Sequence, residues 1–220
     1  MQPDNAPGAY RPGELSVGVE VIGIPPIDGT TGGKRQITAS DRTFAFPRPR
    51  LAVGLPAPDG YRAYAGIAYI PPIAIRQVSS HLGALEAGIA WTPPGPFAAG
   101  LRAHALIARS KSPVTDPATR DVLDSTELGA DLSAGYKLNF GSGSVTPFAS
   151  VSLARVAGDF RVTSDNALLT SRTTNAGFTG GVRFFATAGV EAVAELVVFP
   201  GRLVHPTFRV AWVNDWFAKR

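Results

Sequence analysis

Glu127-Leu-Gly-Ala-Asp-Leu-Ser-Ala-Gly-Tyr-Lys-Leu-Asn-Phe140 is the stretch that decides the fold. Every even position is apolar: Leu128, Ala130, Leu132, Ala134, Tyr136, Leu138 and Phe140. The odd positions are Glu127, Gly129, Asp131, Ser133, Gly135, Lys137 and Asn139. Successive side chains of a strand point to opposite faces, so this is a strand with one purely apolar face and one that carries charge and glycine. The pattern recurs. Leu15, Val17, Val19 and Val21 oppose Ser16, Gly18 and Glu20, while Leu85, Ala87, Ile89 and Trp91 oppose Ala84, Glu86, Gly88 and Ala90. From Phe97 to Ile107 only Leu106 spoils the polar side.

Alternation alone does not say which face is inside, because a soluble sandwich or barrel buries its apolar face and wets the other. The glycines separate the two readings. Gly18, Gly54, Gly66, Gly88, Gly100, Gly129, Gly135, Gly177 and Gly181 all fall in the polar phase, with Gly180 the exception. A solvated strand face normally carries Thr, Lys and Glu, since glycine weakens a strand. Glycine is useful where side chains crowd, as in the lumen of a small barrel filled by alternating small and large residues. The expected fold is therefore all-β: a closed antiparallel up-and-down transmembrane β-barrel of about ten strands, eight being the smaller alternative. Its apolar face meets lipid and its polar lumen is plugged. A soluble barrel around an apolar ligand is the competing reading.

Size and composition agree. The chain has 220 residues with 24 Gly and 19 Pro, which suits one domain of many short strands over 1–220. Residues 1–13 form an N-terminal extension. No apolar run approaches the roughly 18 to 20 residues of a membrane helix, so any spanning must be done by strands. The net charge is +4 and the basic residues, 17 Arg and four Lys, are scattered, which argues against nucleic acid as a partner. Arginines in outer loops can instead meet anionic lipid head groups. No cysteine is present, so there is neither a disulfide framework nor a thiolate metal site. Met1-Gln-Pro-Asp-Asn-Ala-Pro-Gly8 is not a charged and then apolar leader, and the chain reads as a mature form carrying an initiator Met.

Ten strands are predicted, at about 14–24, 43–55, 61–70, 82–91, 97–109, 126–140, 145–156, 176–185, 189–199 and 206–217. The connections alternate long and short, with the long ones at 25–42, 110–125 and 157–175 and a medium one at 71–81. Outer-membrane barrels have short periplasmic turns and longer extracellular loops, and an even strand count leaves both termini, including the extension 1–13, on the periplasmic side. Tyr61, Trp91, Phe97, Phe140, Trp216 and Phe217 then gather at one end, as the aromatic girdle of a membrane interface.

Symmetric turns at Thr92–Pro96, Thr187 and Arg202 set Glu86 opposite Arg102, Arg183 opposite Glu191 and Glu195 opposite Arg209. They also set Gly88 against Gly100 and Ala84 against His104. These cross-strand pairs of opposite sign are expected to line the lumen and fix register, together with Glu20, Arg62, Glu127, Asp131 and Lys137. The competing reading is a set of exposed ion pairs on a soluble sheet.

The last segment, Phe208-Arg-Val-Ala-Trp-Val-Asn-Asp-Trp-Phe217, with Phe208, Val210, Trp212 and Trp216 in one phase, looks like the aromatic-ended closing strand of small bacterial outer-membrane barrels. Over nearly its whole length the chain resembles the OmpA-like and OmpW-like members of that class. It departs from their pattern at Asn214 and in the trailing Ala218-Lys219-Arg220. The resemblance implies a location in the bacterial outer membrane.

No catalytic, cofactor-binding or metal-binding residue is expected. Ser79-Ser80-His81 is the only local nucleophile candidate, but Ser80 and His81 are adjacent in a strand and face opposite ways. His104 in the lumen and His205 in a loop, with no cysteine, make no metal site. Gly32-Gly33-Lys34 follows no strand into a helix and reads as a flexible loop. A charged ten-stranded lumen leaves little room for an open channel, since aqueous pores appear at about 16 strands. The expected function is that of a non-enzymatic envelope anchoring and interaction protein, with lipid or lipopolysaccharide around it and envelope partners at loops 25–42, 110–125 and 157–175. Passage of small or hydrophobic solutes is the second expectation.

Overall fold

A computed structural model describes residues 10–22, 46–75, 78–113, 118–200 and 203–215. Loop 25–42, Trp216 and Phe217 lie outside the described residues. The strands are β1(Leu15–Ile22), β2(Phe46–Leu55), β3(Tyr61–Ile75), β4(Val78–Trp91), β5(Phe97–Ser112), β6(Asp121–Tyr136), β7(Leu138–Phe140), β8(Gly143–Val162), β9(Ala167–Ala186), β10(Val190–Phe199) and β11(Leu203–Asn214). Apart from β6 and β7, each pairs antiparallel with its chain neighbours, and β1 pairs with β11 to close the sheet on itself. β6 and β7 both pair with β8 and form one stave interrupted at Lys137, so the barrel has ten staves. Closure removes the sheet edges and satisfies the backbone groups internally, as a bilayer requires.

The orientation of side chains is the one the glycines implied. Leu128 and Trp212 are each 63% exposed on the outer wall, whereas Glu20 and Glu191 are 0% exposed inside. A continuous apolar surface of this kind marks contact with lipid rather than with water. The lumen is not uniformly polar. Ala68, Ile70, Leu82, Ala84 and Leu106 form an apolar cluster within it, on β3, β4 and β5.

Several strand ends differ from expectation. The loop expected at 157–175 is a continuation of β8 and β9, which meet in a tight turn where Asn166 adopts φ 51°. Likewise β3 and β4 run on to Ile75 and back from Val78, through a register shift between Ile70 and Ile73, where a medium loop was expected. The loop expected at 110–125 shrinks to 113–120, because β5 continues to Ser112 and β6 begins at Asp121. The physical reason is common to all three. Alternation is imposed only where one face meets hydrocarbon; beyond it both faces are wetted and the pattern fades while backbone pairing continues.

The hairpin registers are offset by two residues from symmetric ones. Trp91 pairs with Ala99, so Glu86 faces His104, Gly88 faces Arg102 and Ala84 faces Leu106. Pro93, Pro94 and Pro96 have no N–H, and Gly95 sits at φ 137°, so this connection cannot close as a tight two-sided turn. Val193 faces both Arg183 and Arg209, while Glu195 faces Thr207. An offset of two preserves the face, which is why the same residues still point inward.

Candidate functional site: the charged lumen

The polar phase of each strand converges on two ionic clusters. The first crosses five strands, β2 to β6. Arg50 donates from Nε to Glu86 at 2.7 Å, reaching over β3. That reach needs Gly66, because a Cβ there would lie 2.7 Å from Glu86 Oε1. Glu86 also faces Arg102 Nη1 at 3.7 Å. Arg102 in turn grips Asp131, its direct cross-strand partner, through Nε at 2.9 Å and Nη2 at 2.7 Å. The His104 ring occupies the space that a side chain on Gly129 would take, with Nδ1 at 3.0 Å from Asp131 and Nε2 at 3.2 Å from Glu127. Two carboxylates, one at each ring nitrogen, are both satisfied only by a ring that carries two protons.

The second cluster centres on one carboxylate. Glu191 accepts from Arg183, by Nε at 2.8 Å, from Arg209, and from the Tyr10 hydroxyl at 3.5 Å. Close by in register, Arg48 Nη2 donates to both Glu20 oxygens at 2.8 Å, and both side chains are fully buried. Tyr10 stands edge-on to Tyr64, ring centroids 5.7 Å apart, and is 2% exposed. The end of the N-terminal extension thus stoppers the barrel at its terminus-bearing mouth. Burial, with Glu191 beside it, holds the Tyr10 phenol well above its ordinary range.

Of the expected pairs, Arg183–Glu191 and Glu86–Arg102 meet diagonally rather than directly opposite, at 2.8 and 3.7 Å. Arg209 donates to Glu191, which the β10–β11 register sets diagonal to it across Val193. Lys137 is exposed at the break between β6 and β7, not in the lumen, and its N–H donates to Pro96 O at 2.6 Å. His205 lies in β11, buried at 2% exposure, where a loop was expected. Sequence reasoning missed Arg48, Arg50 and Tyr10. The alternation Pro47-Arg48-Pro49-Arg50-Leu51 carried the signal for the two arginines. Ser80 is hydrogen-bonded across the strands to Ser110 at 2.9 Å, while His81 faces the outer wall.

At the terminus-bearing end aromatics form a band along β3 to β9. Tyr61 pairs with Trp91, Trp91 meets Phe97 edge-on at 6.0 Å, Phe97 pairs with Tyr136, and Phe140 stacks on Phe184 at 5.8 Å. Outward aromatics at a strand-end level are the mark of a membrane interface.

These features define an integral outer-membrane β-barrel. The sequence profile of the autotransporter β-domain matches residues 83–220. The chain belongs to that family, and it resides in the outer membrane of a Gram-negative envelope. The class expected from the closing strand, that of small outer-membrane barrels, is thus the class found; the comparisons do not single out its OmpA-like or OmpW-like members. No curated protein sequence matches the chain. The translocator domain of the autotransporter NalP from Neisseria meningitidis resembles it with a TM-score of 0.52 at 9% identity, covering 92% of this chain and 88% of that one. The β domain of the Bordetella autotransporter BrkA gives 0.47 at 12% identity, covering 92% and 98%. At such identities the likeness speaks to the fold alone.

Proposed function

We propose that the barrel is a non-enzymatic membrane anchor with a closed lumen, and that it presents its outer segments to envelope partners. The observation that carries this reading is the lumen itself. Guanidinium and carboxylate groups bridge it from β2 to β6 and again around Glu191, and Tyr10 fills its mouth. Ions held in a confined site persist only when paired, so these groups serve as packing rather than as a conducting path. Partner contacts then fall to the loops expected at 25–42 and 110–125 and to the β8–β9 hairpin over 157–175, which lies at the end away from the termini. Loops and hairpins on a rigid scaffold are the parts free to vary for binding. In planar bilayers the purified barrel is expected to show no stepwise conductance. Regular single-channel steps that vanish on blocking the lumen would overturn the anchor reading in favour of solute passage.

A second reading is favoured by one observation together with the family. The chain just before β1 enters the lumen at Tyr10, and NalP's barrel is described as a translocator. If the barrel carries its own N-terminal segment outward, an epitope placed ahead of Tyr10 becomes accessible on intact cells. The anchor reading keeps it on the periplasmic side.

A further inference from the structure

Among the described strand residues, the outward phase carries charge only at its upper end, away from the termini, and only on β5, β6, β8 and β9. The residues are Arg109, Lys111, Asp124, Arg155, Asp159, Arg161 and Arg172. Register ties them into adjoining rows. His81, Arg109, Asp124 and Asp159 lie side by side, Ala157 pairs with Arg172 one row below, and Leu128 pairs with Arg155 below that. Five basic side chains face two acidic ones, and Arg109 is matched to Asp124 at 3.3 Å. Arg155, Arg161 and Arg172 form no ion pair with any described residue. Directly beneath this band lies bare hydrocarbon surface: Leu128, Leu153 and Phe178 are all exposed. A crevice of about 270 Å³ opens among Ile107, Arg109, Thr126, Ala157 and Asp159, where small side chains leave a dent in the wall.

We infer that this face binds a phosphorylated, multiply acylated glycolipid of the outer leaflet, with Arg155 and Arg172 holding its phosphates. The acyl chains lie along the apolar wall below. Charge complementarity selects the phosphates, since arginine grips phosphate oxygens in bidentate fashion. The continuous apolar belt beneath selects a lipid over a free anion, because only an amphiphile meets both surfaces at once. The short wall of β10, β11, β1 and β2 carries no outward charge among its described residues, so the site belongs to one side of the barrel. The inference deepens the anchor reading and rests on it for the placement of this face in the outer leaflet.

The test uses the whole folded barrel in detergent, with folding checked by heat-modifiable migration. The probes are bis-phosphorylated lipid A, the same lipid with its phosphates removed, and phosphatidylglycerol. Wild type is expected to prefer the bis-phosphorylated lipid. Arg155→Glu with Arg172→Glu is expected to weaken that binding by on the order of tenfold or more, as is removal of the phosphates. Arg155→Gln with Arg172→Gln gives a smaller loss in the same direction, and Lys137→Glu, at the opposite end, gives none. Equal binding by the double-Glu variant and wild type would overturn the site. So would equal binding of phosphatidylglycerol and bis-phosphorylated lipid A, or an equal loss in Lys137→Glu. Conductance of the same variants is read separately: a silent barrel that does not discriminate lipids sinks the site and leaves the anchor standing.

Discussion

The two ionic clusters of the lumen are built on different plans. Around Glu191 a single carboxylate serves two guanidinium groups and a phenol, so it is a hub. Between β2 and β6 the charges run in a chain, Arg50 to Glu86 to Arg102 to Asp131 to His104 to Glu127, in which the inner members each have two neighbours. A hub concentrates the consequence of losing one residue, whereas a chain spreads it.

The largest effect should follow removal of the hub. Glu191→Ala removes the acceptor that Arg183, Arg209 and Tyr10 share, and breaking a buried pair in this way costs about 3–5 kcal/mol. A large fall in the urea midpoint of the refolded barrel in detergent is expected, or failure to reach the heat-modifiable form. Cutting the chain should cost less. In Glu86→Ala, Arg102 keeps Asp131, so the loss is expected to stay near the roughly 1–3 kcal/mol of a charged hydrogen bond. An Glu86→Ala loss equal to that of Glu191→Ala would erase the distinction between hub and chain. The smallest effect belongs to the outer wall: Asp124→Ala removes the half-exposed pair with Arg109 and is expected to change stability by less than about 1 kcal/mol.

Much of this was legible in the sequence because the bilayer imposes a period of two on every strand it covers. Leu128 to Tyr136, read alone, gives the outer wall, and Gly66 and Gly129 in the opposite phase mark where Glu86 and His104 lie across the sheet. What was not legible lies where that constraint ends. Above the belt, Asp159, Arg161 and Arg172 break the alternation and read as loop, yet their backbones stay paired as β8 and β9. Registers were also hidden, because the phase of a strand is visible in its residues while the two-residue offset at Pro93-Pro94-Gly95-Pro96 depends on missing N–H donors in the turn. Tyr10 was missed for a third reason: it lies in no strand and reaches the lumen only through the tertiary fold.

The central claim is that greasy side chains face lipid and ionic ones face the barrel axis, and a cysteine-free chain allows it to be tested directly. Single cysteines placed one at a time from Glu127 to Tyr136, spin-labelled in lipid vesicles, report which labels meet bilayer-dissolved oxygen and which meet a water-soluble nickel complex. The labels at 128, 130, 132 and 134 should respond to oxygen and those at 127, 129, 131 and 133 should not. Oxygen access at 127, 129, 131 and 133 instead, or no alternation at all, would contradict the account.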